Sequence, residues 1–266
     1  MIAAQRRALI LEQLRRDGAG SIVALAEGIG VSPSTIRRDL EFLTEGGYIV
    51  RSHGGALLRE PSHTTFEPGQ EIGAHVARAA KEAIGAFAAD MVEDGQSVIF
   101  DSSSTVLEAA KVVVAKRLRL TVCTNDLGTA LVLARSETAQ LVVLGGTNRR
   151  GSLTTVGEPG LSFLARLHAD VAFIGIHSLH GGRLSETSID VAATKERMIA
   201  CATRAIVLAD SSKFRHPAFC DVCEASAVQT VVTDDGIGAA DHARLVEAGV
   251  EVIVVPPSPP QATPKT

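Results

Sequence analysis

Two patterns of hydrophobic and polar positions divide this chain of 266 residues. From residue 4 to about 58, apolar residues recur at helical spacing between tight turns, which predicts helices over 4–16, 21–30 and 32–43. From about residue 76 onward, short runs of apolar residues alternate with helical stretches. The pattern therefore predicts a small helical domain followed by a larger α/β domain.

Seven apolar runs in the second part predict the strands of one sheet. Most are nearly continuous runs of valine, isoleucine and leucine, as expected for parallel strands that are covered on both faces. Because helical stretches separate them, we expect an α/β fold with a mostly parallel, doubly wound sheet. The predicted strands are 97–100, 120–124, 141–146, 170–176, 205–210, 230–234 and 250–255. The predicted helices are 76–91, 103–115, 126–135, 158–167, 190–203 and 238–248.

Polar and proline-rich segments place the domain boundaries. The stretch REPSHTTFEPGQ is polar and holds two prolines, which is typical of a linker. We assign residues 1–58 to a first domain, 59–75 to a linker and 76–255 to a second domain. The proline-rich segment 256–266 is predicted to be a disordered tail.

Composition narrows the classes of function. Apolar residues make up 45% of the chain, tryptophan is absent and there is one tyrosine, which argues against an aromatic platform for single-stranded nucleic acid. Four cysteines show no spacing typical of a disulfide framework, and the chain shows neither a signal peptide nor an apolar run of membrane-spanning length. We therefore expect a cytoplasmic protein without a membrane segment.

The third predicted helix carries the first functional pattern. Ser32 is a suitable N-cap, Pro33 suits the first helical position, and Val31 and Ile36 form a hydrophobic staple. Its apolar residues share one face. Ser34 and Arg38 lie opposite that face, with Thr35 and Arg37 beside it, which is typical of a recognition helix that enters a major groove.

The stretch GGYIVRSHGGALL (46–58) predicts a β-hairpin behind this helix, with Arg51 and His53 near its tip. A hairpin directly behind a recognition helix is called a wing. We therefore expect residues 1–58 to form a winged helix-turn-helix that contacts double-stranded DNA. The alternative is a solvated face with pairs such as Arg37 and Glu41, which is common for arginines on a helix. Cap, staple and wing together favour DNA binding, and we expect Asp39 and Glu41 to limit non-specific binding. The candidate DNA-binding residues are Ser32, Ser34, Thr35, Arg37, Arg38, Arg51 and His53.

Polar residues follow several of the predicted strands in the second domain. Ligands of open α/β sheets bind outside the carboxyl ends of the strands, so we expect these loops to converge. The stretch FDSSST (100–105) opens a helix, which offers hydroxyls and backbone N–H groups to an anion. The other candidates are Asn125 and Asp126, then Gly145, Gly146 and Arg149, then Glu186 and Lys195, and finally Asp210 and Lys213. Lone polar residues such as Lys81, His177 and His180 are expected to be solvated or structural.

Residues 5–58 resemble the helix-turn-helix of the DeoR family of bacterial transcriptional regulators, through the stretches V31-S-x-x-T-I-R-R-D-L40 and H53-G-G-A56. The resemblance continues through DSSST, TND, GG-x-x-R, V191-x-x-T-K195 and DSSKF to about residue 235. It implies a sensor domain similar in fold to ribose-5-phosphate isomerase that binds a phosphorylated sugar or polyol. It also implies phosphate contacts from Asp101, Ser102, Ser103, Ser104 and Thr105. The implied sugar-pocket residues are Asn125, Asp126, Lys195, Asp210 and Lys213.

One position departs from the family pattern, because Ser103 stands where the family usually has glycine. The loss of glycine restricts the backbone and can crowd a phosphate, whereas the added hydroxyl can donate to it. The segment HPAFCDVC (216–223) has a spacing that suggests a metal, but a structural zinc site needs four ligands, so no metal and no cofactor is expected.

The sequence as a whole predicts a repressor of sugar or polyol metabolism genes that is not an enzyme. It is expected to act as a homo-oligomer, a dimer or tetramer, whose operator affinity depends on a phosphorylated sugar. The alternative is a sugar-phosphate isomerase with an accessory DNA-binding segment, in which Asp126, Glu186, Lys195 and Asp210 transfer protons.

Overall fold

A computed structural model describes residues 1–59, 63–67 and 69–257 as two compact units that divide between Arg78 and Ala79. The predicted linker is therefore partly folded, because a short helix within it packs Ile72 into the core of the first unit. Residues 60–62 and 68 of that linker, and 258–266 of the predicted tail, lie outside the described residues.

The described residues of the first unit form four helices and a small antiparallel sheet. The predicted helices and the hairpin are confirmed within a residue or two at their ends. The helices are α1 (Ala3–Asp17), α2 (Ile22–Ile29), α3 (Pro33–Glu45) and α4 (Gln70–Gly73). The strands are β1 (Ala19–Ser21), β2 (Ile49–Ser52) and β3 (Gly55–Leu58), in the order β1-β3-β2.

Strand β1, like the short helix α4, was not predicted from the sequence pattern. It pairs with β3 of the hairpin, so that Ser21 lies opposite Gly55. A Cβ atom at position 55 would lie 2.2 Å from the Gly20 carbonyl oxygen, which explains why this hairpin position requires glycine. The wing is thereby anchored to the chain that connects α1 with α2.

The second unit contains a seven-stranded parallel sheet, as predicted. Its order is β15-β14-β12-β9-β4-β5-β6, and every neighbouring pair is parallel. The strands are β4 (Ser97–Phe100), β5 (Thr121–Thr124), β6 (Gln140–Val143), β9 (Ala169–Ile174), β12 (Ala202–Leu208), β14 (Thr230–Asp234) and β15 (Glu251–Val255). The helices are α5 (Arg78–Asp90), α6 (Ser104–Lys116), α7 (Leu127–Leu133), α8 (Gly160–Leu164), α9 (Ile189–Ala200) and α10 (Ala239–Glu247).

Each face of this sheet carries its own apolar core. On one face, Phe100 and Phe173 pack with α5 and α6, and their ring centroids lie 5.6 Å apart. On the other face, Ile99 and Ile174 pack with α8, α9 and α10. Because successive residues of a strand point to opposite faces, both faces of a nearly continuous apolar strand can be buried.

Smaller strands complete the second unit. The hairpin strands β10 (Ser178–His180) and β11 (Arg183–Glu186) join β13 (Cys220–Glu224) in an antiparallel sheet, and β7 (Thr147–Asn148) pairs with β8 (Thr155–Val156). These strands were not predicted. They matter for the site because Glu186 ends β11.

Candidate functional site

The recognition helix begins as its sequence predicts. The Ser32 hydroxyl accepts the backbone N–H of Thr35 at 3.2 Å, and Pro33 occupies the first helical position. The hydroxyls of Ser34 and Thr35 each lie 2.9 Å from Ser32 Oγ. The amino end of α3 is therefore a compact group of hydroxyls that can turn towards a phosphate or a base edge.

The helix α3 has the predicted inner and outer faces. Ile36, Leu40 and Leu43 are fully buried, whereas Arg37 and Arg38 are exposed. Ser34 is exposed as well, and so are Arg51 and His53 of the wing. The structure thus presents the candidate DNA-binding residues to solvent, with Thr35 half-buried. Which of them contact bases and which contact phosphates stays a prediction.

Asp39 was expected on the exposed face, and this was wrong. The residue is 1% exposed, because Arg6 and Arg7 of α1 both bind its carboxylate. Glu41 is exposed, as expected. Asp39 therefore cannot act as a free surface charge that repels DNA.

In the second unit, the candidate site lies where the strand order of the parallel sheet reverses. The chain runs from β4 to β5 and β6 on one side and continues with β9 on the other side of β4. At such a switch point the loops after β4 and β9 leave the sheet in different directions, and the crevice expected between them is where open α/β sheets bind ligands. Asp101 follows β4 and Gly175 follows β9, so these residues border the crevice.

A buried cluster of charges joins the two loops. The Asp101 carboxylate accepts the N–H groups of Ser103 and Gly175, both at 2.8 Å. Lys195 Nζ donates to the Gly175 carbonyl oxygen at 2.9 Å and to Glu186 Oε1 at 2.5 Å, and lies 3.2 Å from Asp101 Oδ2. Burial disfavours the charge of Lys195, but the two carboxylates outweigh it and raise the pKa of this lysine. The cluster therefore holds both loops in place by itself.

Ser103 has a role that the sequence pattern did not show. Its hydroxyl accepts the Val106 N–H at 3.1 Å and caps α6, and its backbone φ of −88° is one that any residue adopts. The expected backbone restriction therefore does not arise. A Cβ atom at Gly175 would lie 2.1 Å from both Cβ and Oγ of Ser103. Ser103 thus fills space that only a glycine at position 175 leaves open. Ser102 and Ser104 are half-buried, and Thr105 is buried.

Asn125 and Asp126 follow β5 and are buried beside this crevice. Asn125 Nδ2 donates to the Thr155 carbonyl oxygen at 3.0 Å, and Asp126 Oδ1 accepts the Thr129 N–H at 2.7 Å. Within the described residues, Asn125 Oδ1 and Asp126 Oδ2 have no hydrogen-bond partner. Burial raises the pKa of Asp126, and the charge of Asp101 adds to this effect against the hydrogen bonds from Thr129.

His177 lies in a group of cations, which the sequence pattern did not indicate. Burial and four nearby cations lower the pKa of His177 from 6.5 to about 2. These cations, in order of effect, are Arg215, Lys213, Lys195 and Arg149. Arg215 lies 2.7 Å from His177 Nε2 and was not predicted, although it directly follows DSSKF. His180, by contrast, is exposed and lies beside His216.

Asp210 is buried after β12, and Lys81 was wrongly expected to be solvated. Asp210 is 2% exposed and Lys81 is 4% exposed. Burial alone would raise the pKa of Asp210, but the charges of Lys213 and Lys81 hold it below its ordinary value. Lys81 therefore brings α5 into the electrostatics of the site. In the described part of the chain, Asp210 Oδ2 has no hydrogen-bond partner.

Steric contacts explain why glycine occupies the two positions that follow Leu144 after β6. Gly146 adopts a φ of 143°, and a Cβ atom there would lie 2.5 Å from the Val156 carbonyl oxygen. At Gly145 an added Cβ atom would lie 3.3 Å from the ring of Pro159. Their contact with a ligand stays a prediction.

Two further observations limit the chemistry. Among the residues that the structure describes, no group of three or more His, Cys, Asp and Glu residues could hold a metal ion, and the four cysteines are free. No helix in the described ranges has the length and apolar character needed to cross a membrane.

Comparison with known proteins identifies both units. The DeoR-like helix-turn-helix domain matches residues 6–62, and the DeoR C terminal sensor domain matches residues 76–235. A relative from Escherichia coli O157:H7 named "Putative aga operon transcriptional repressor" is 33% identical over 94% of this chain and 93% of its own length. The glycerol-3-phosphate regulon repressor of Escherichia coli strain K12 is 31% identical over 86% of this chain and 90% of its own.

Solved structures of low similarity include ribose 5-phosphate isomerase A from Methanocaldococcus jannaschii. It is 16% identical, with a TM-score of 0.38 over 51% of this chain and 53% of that one. A TM-score at this level is too low to support a functional argument. The family matches cover both units, and the named relatives are regulators rather than enzymes. The chain belongs to the DeoR family of DNA-binding transcriptional regulators.

Proposed function

We propose that this protein is a cytoplasmic repressor of sugar or polyol metabolism genes, and that a phosphorylated sugar or polyol bound in its second unit releases it from the operator. The observation that carries this proposal is the group of cations around His177 at the crevice where the strand order reverses. Such a crevice is where an open α/β sheet binds its ligand.

The cations near His177 favour an anionic ligand. Lys195 lies between the Asp101 and Glu186 carboxylates and offsets much of their charge. Lys81 and Lys213 act in the same way on Asp210. Arg149 and Arg215 belong to the same group of cations around His177. We propose that they bind the phosphate together with the amino end of α6 and the hydroxyls of residues 102–105, since planar guanidinium groups bind phosphate in a bidentate manner.

The open hydrogen-bond acceptors favour a ligand with hydroxyl groups. Asn125 Oδ1, Asp126 Oδ2 and Asp210 Oδ2 are buried and have no hydrogen-bond partner among the described residues. A buried acceptor without a partner costs about 1–3 kcal/mol, so a donor from the ligand would stabilise the complex. Sugar hydroxyls supply such donors. The names of the relatives, with an aga operon and a glycerol-3-phosphate regulon, are in keeping with this class.

Repression and effector binding must be linked reciprocally. If the effector weakens operator binding, the operator must weaken effector binding by the same factor, which is typically about 5–150-fold. We propose that a homo-oligomer, a dimer or tetramer, carries out this switch, because two-fold related half-sites need two recognition helices.

A thermal-shift screen tests the proposal on the full chain. The panel holds glycerol 3-phosphate, pentose phosphates and hexose phosphates, with each unphosphorylated compound as its control. We expect at least one phosphate ester to raise Tm, and Arg215→Met to abolish the shift while Arg135→Met, at an exposed arginine just after α7, keeps it. No shift with any ester, or equal shifts with and without phosphate, would contradict the proposed effector. Turnover of an ester would instead favour the isomerase alternative.

A further inference from the structure

Asp39 is an acidic residue in the middle of the recognition helix that is withdrawn from solvent. Arg6 of α1 binds both of its carboxylate oxygens, through Nε and through an N–H group of its guanidinium at 3.1 Å. Arg7 donates its Nε–H to Asp39 Oδ1 at 3.1 Å. One carboxylate on α3 is thus held by two neighbouring arginines on α1.

Arg7 contacts the recognition helix at a second point. Its guanidinium carbon lies 3.5 Å from the centre of the Phe42 ring. Asp39 and Phe42 are three positions apart and therefore neighbours on the surface of α3. A guanidinium group can bind a carboxylate with its edge and stack on an aromatic ring with its face. Arg7 is consequently oriented by both.

The position of this cluster matters for DNA binding. Asp39 directly follows Arg37 and Arg38, and successive residues of a helix are about 100° apart, so the direction of one side chain fixes the others. The apolar contacts of Ile36, Leu40 and Leu43 are not directional, whereas hydrogen bonds from a guanidinium fork are.

We propose that Asp39 is a positioning residue which, through Arg6 and Arg7, fixes the rotation of the recognition helix about its axis. Arg37 and Arg38 then meet the DNA at a defined angle. A buried ion pair adds little net stability compared with apolar residues of similar volume, but it can select one arrangement of a helix. The cluster should therefore affect the specificity of DNA binding more than the stability of the fold.

The test uses three variants of the full chain and two DNA duplexes. One duplex is the sequence that the wild-type protein prefers in a random library, and the other is a scrambled version. The variants are Asp39→Asn, the triple variant Arg6→Met/Arg7→Met/Asp39→Leu, and Glu45→Gln as the matched control at the exposed carboxyl end of the same helix. The Kd for both duplexes is measured at one salt concentration, because phosphate contacts make the affinity depend on salt, and Tm is recorded for each protein.

We expect Asp39→Asn to lower the ratio of specific to non-specific affinity by at least ~10-fold, since a misdirected base contact costs about as much as one mismatched base pair. Glu45→Gln should change that ratio by less than ~2-fold. Asp39→Asn leaves the charges of Arg6 and Arg7 without the Asp39 carboxylate, whereas the triple variant removes these charges too. The Tm of the triple variant should therefore approach that of the wild type, while its ratio of specific to non-specific affinity stays low. A triple variant with the ratio of the wild type would overturn the proposal, and so would Asp39→Asn with a lower Tm but an unchanged ratio.

Discussion

The contact between Ser103 and Gly175 yields a prediction that needs no ligand. An alanine Cβ at position 175 would lie 2.1 Å from both side-chain atoms of Ser103. Rotation of the serine hydroxyl can relieve the clash with Oγ but not the clash with Cβ, so the backbone of one loop has to move. Both loops are held by the Asp101 carboxylate, which accepts the N–H groups of residues 103 and 175. The strain therefore cannot be relieved at low cost.

The expected magnitude follows from a double-mutant cycle. Gly175→Ala should lower the free energy of unfolding of the second unit by about 1–3 kcal/mol, the usual cost of overpacking. Ser103→Gly should lower the free energy of unfolding by roughly a few tenths of a kcal/mol, because glycine is tolerated as an N-cap residue. In the double variant the next atom near the added Cβ is Asp101 Oδ1 at 3.6 Å, an ordinary contact. The two changes should thus compensate by about 1–2 kcal/mol.

Amide hydrogen exchange is the suitable assay, because the chain has two units and a single unfolding curve would mix them. The slowest amides of β4 and β9 report the free energy of unfolding of the second unit. If the double variant loses as much unfolding free energy as the two single variants together, within ~0.5 kcal/mol, then residues 103 and 175 are independent. That result would refute the reasoning.

Three further predictions concern charged residues. Lys195→Met leaves two buried carboxylates without a counter-ion and should lower the free energy of unfolding of the second unit by about 3–5 kcal/mol, whereas the exposed Lys111→Met should cost less than ~1 kcal/mol by the same exchange measurement. Equal losses of unfolding free energy in Lys195→Met and Lys111→Met would contradict this prediction. The pKa of His177 is depressed to about 2. The contribution of this histidine to the stability of the fold is therefore complete above about pH 6.5, the ordinary pKa that it has in the unfolded chain. As the pH falls below that value, the contribution is lost by about 1.4 kcal/mol per pH unit. His177→Gln should remove this slope from pH titrations of stability, and an unchanged slope would speak against it. Arg38→Ala should weaken binding to the preferred duplex by ~1–3 kcal/mol and relax the sequence preference, while Arg37→Ala should weaken binding to preferred and random DNA alike; a binding assay with both duplexes would expose a reversal of these roles.

The sequence predicts the parallel sheet well, because strands that are buried on both faces are nearly continuous apolar runs. It predicts the recognition helix for a similar reason, since cap, proline and apolar spacing are all local features. The strands β10, β11 and β13 escaped prediction. Their residues alternate less clearly, and the pairing of Arg183–Glu186 with Cys220–Glu224 is interrupted by a register shift after Leu184. Such distant pairing leaves no local pattern.

The candidate site shows the same limit. Strand ends identify the loops that converge, so Asp101, Asn125 and Asp210 could be named in advance. The burial of Lys81 could not be predicted, because this lysine lies on an ordinary amphipathic helix, α5. Its carboxylate neighbour, Asp210, follows a strand that is distant in sequence. Asp39 was misplaced for the same reason, as nothing near it in sequence indicates the arginines of α1.

The buried carboxylates of Asp101 and Glu186 are compatible with the proposed anionic ligand, because Lys195 lies against both of them. Asp101 accepts two backbone N–H groups and lies against Lys195, which also binds Glu186. These contacts join the loops that follow β4 and β9, on the two sides of the crevice. These two acids thus fix the backbone beside which we propose that an anion binds, near the cations around His177. If an anion binds there as proposed, it meets loops whose geometry is set beforehand, so little of its binding free energy is spent on ordering them.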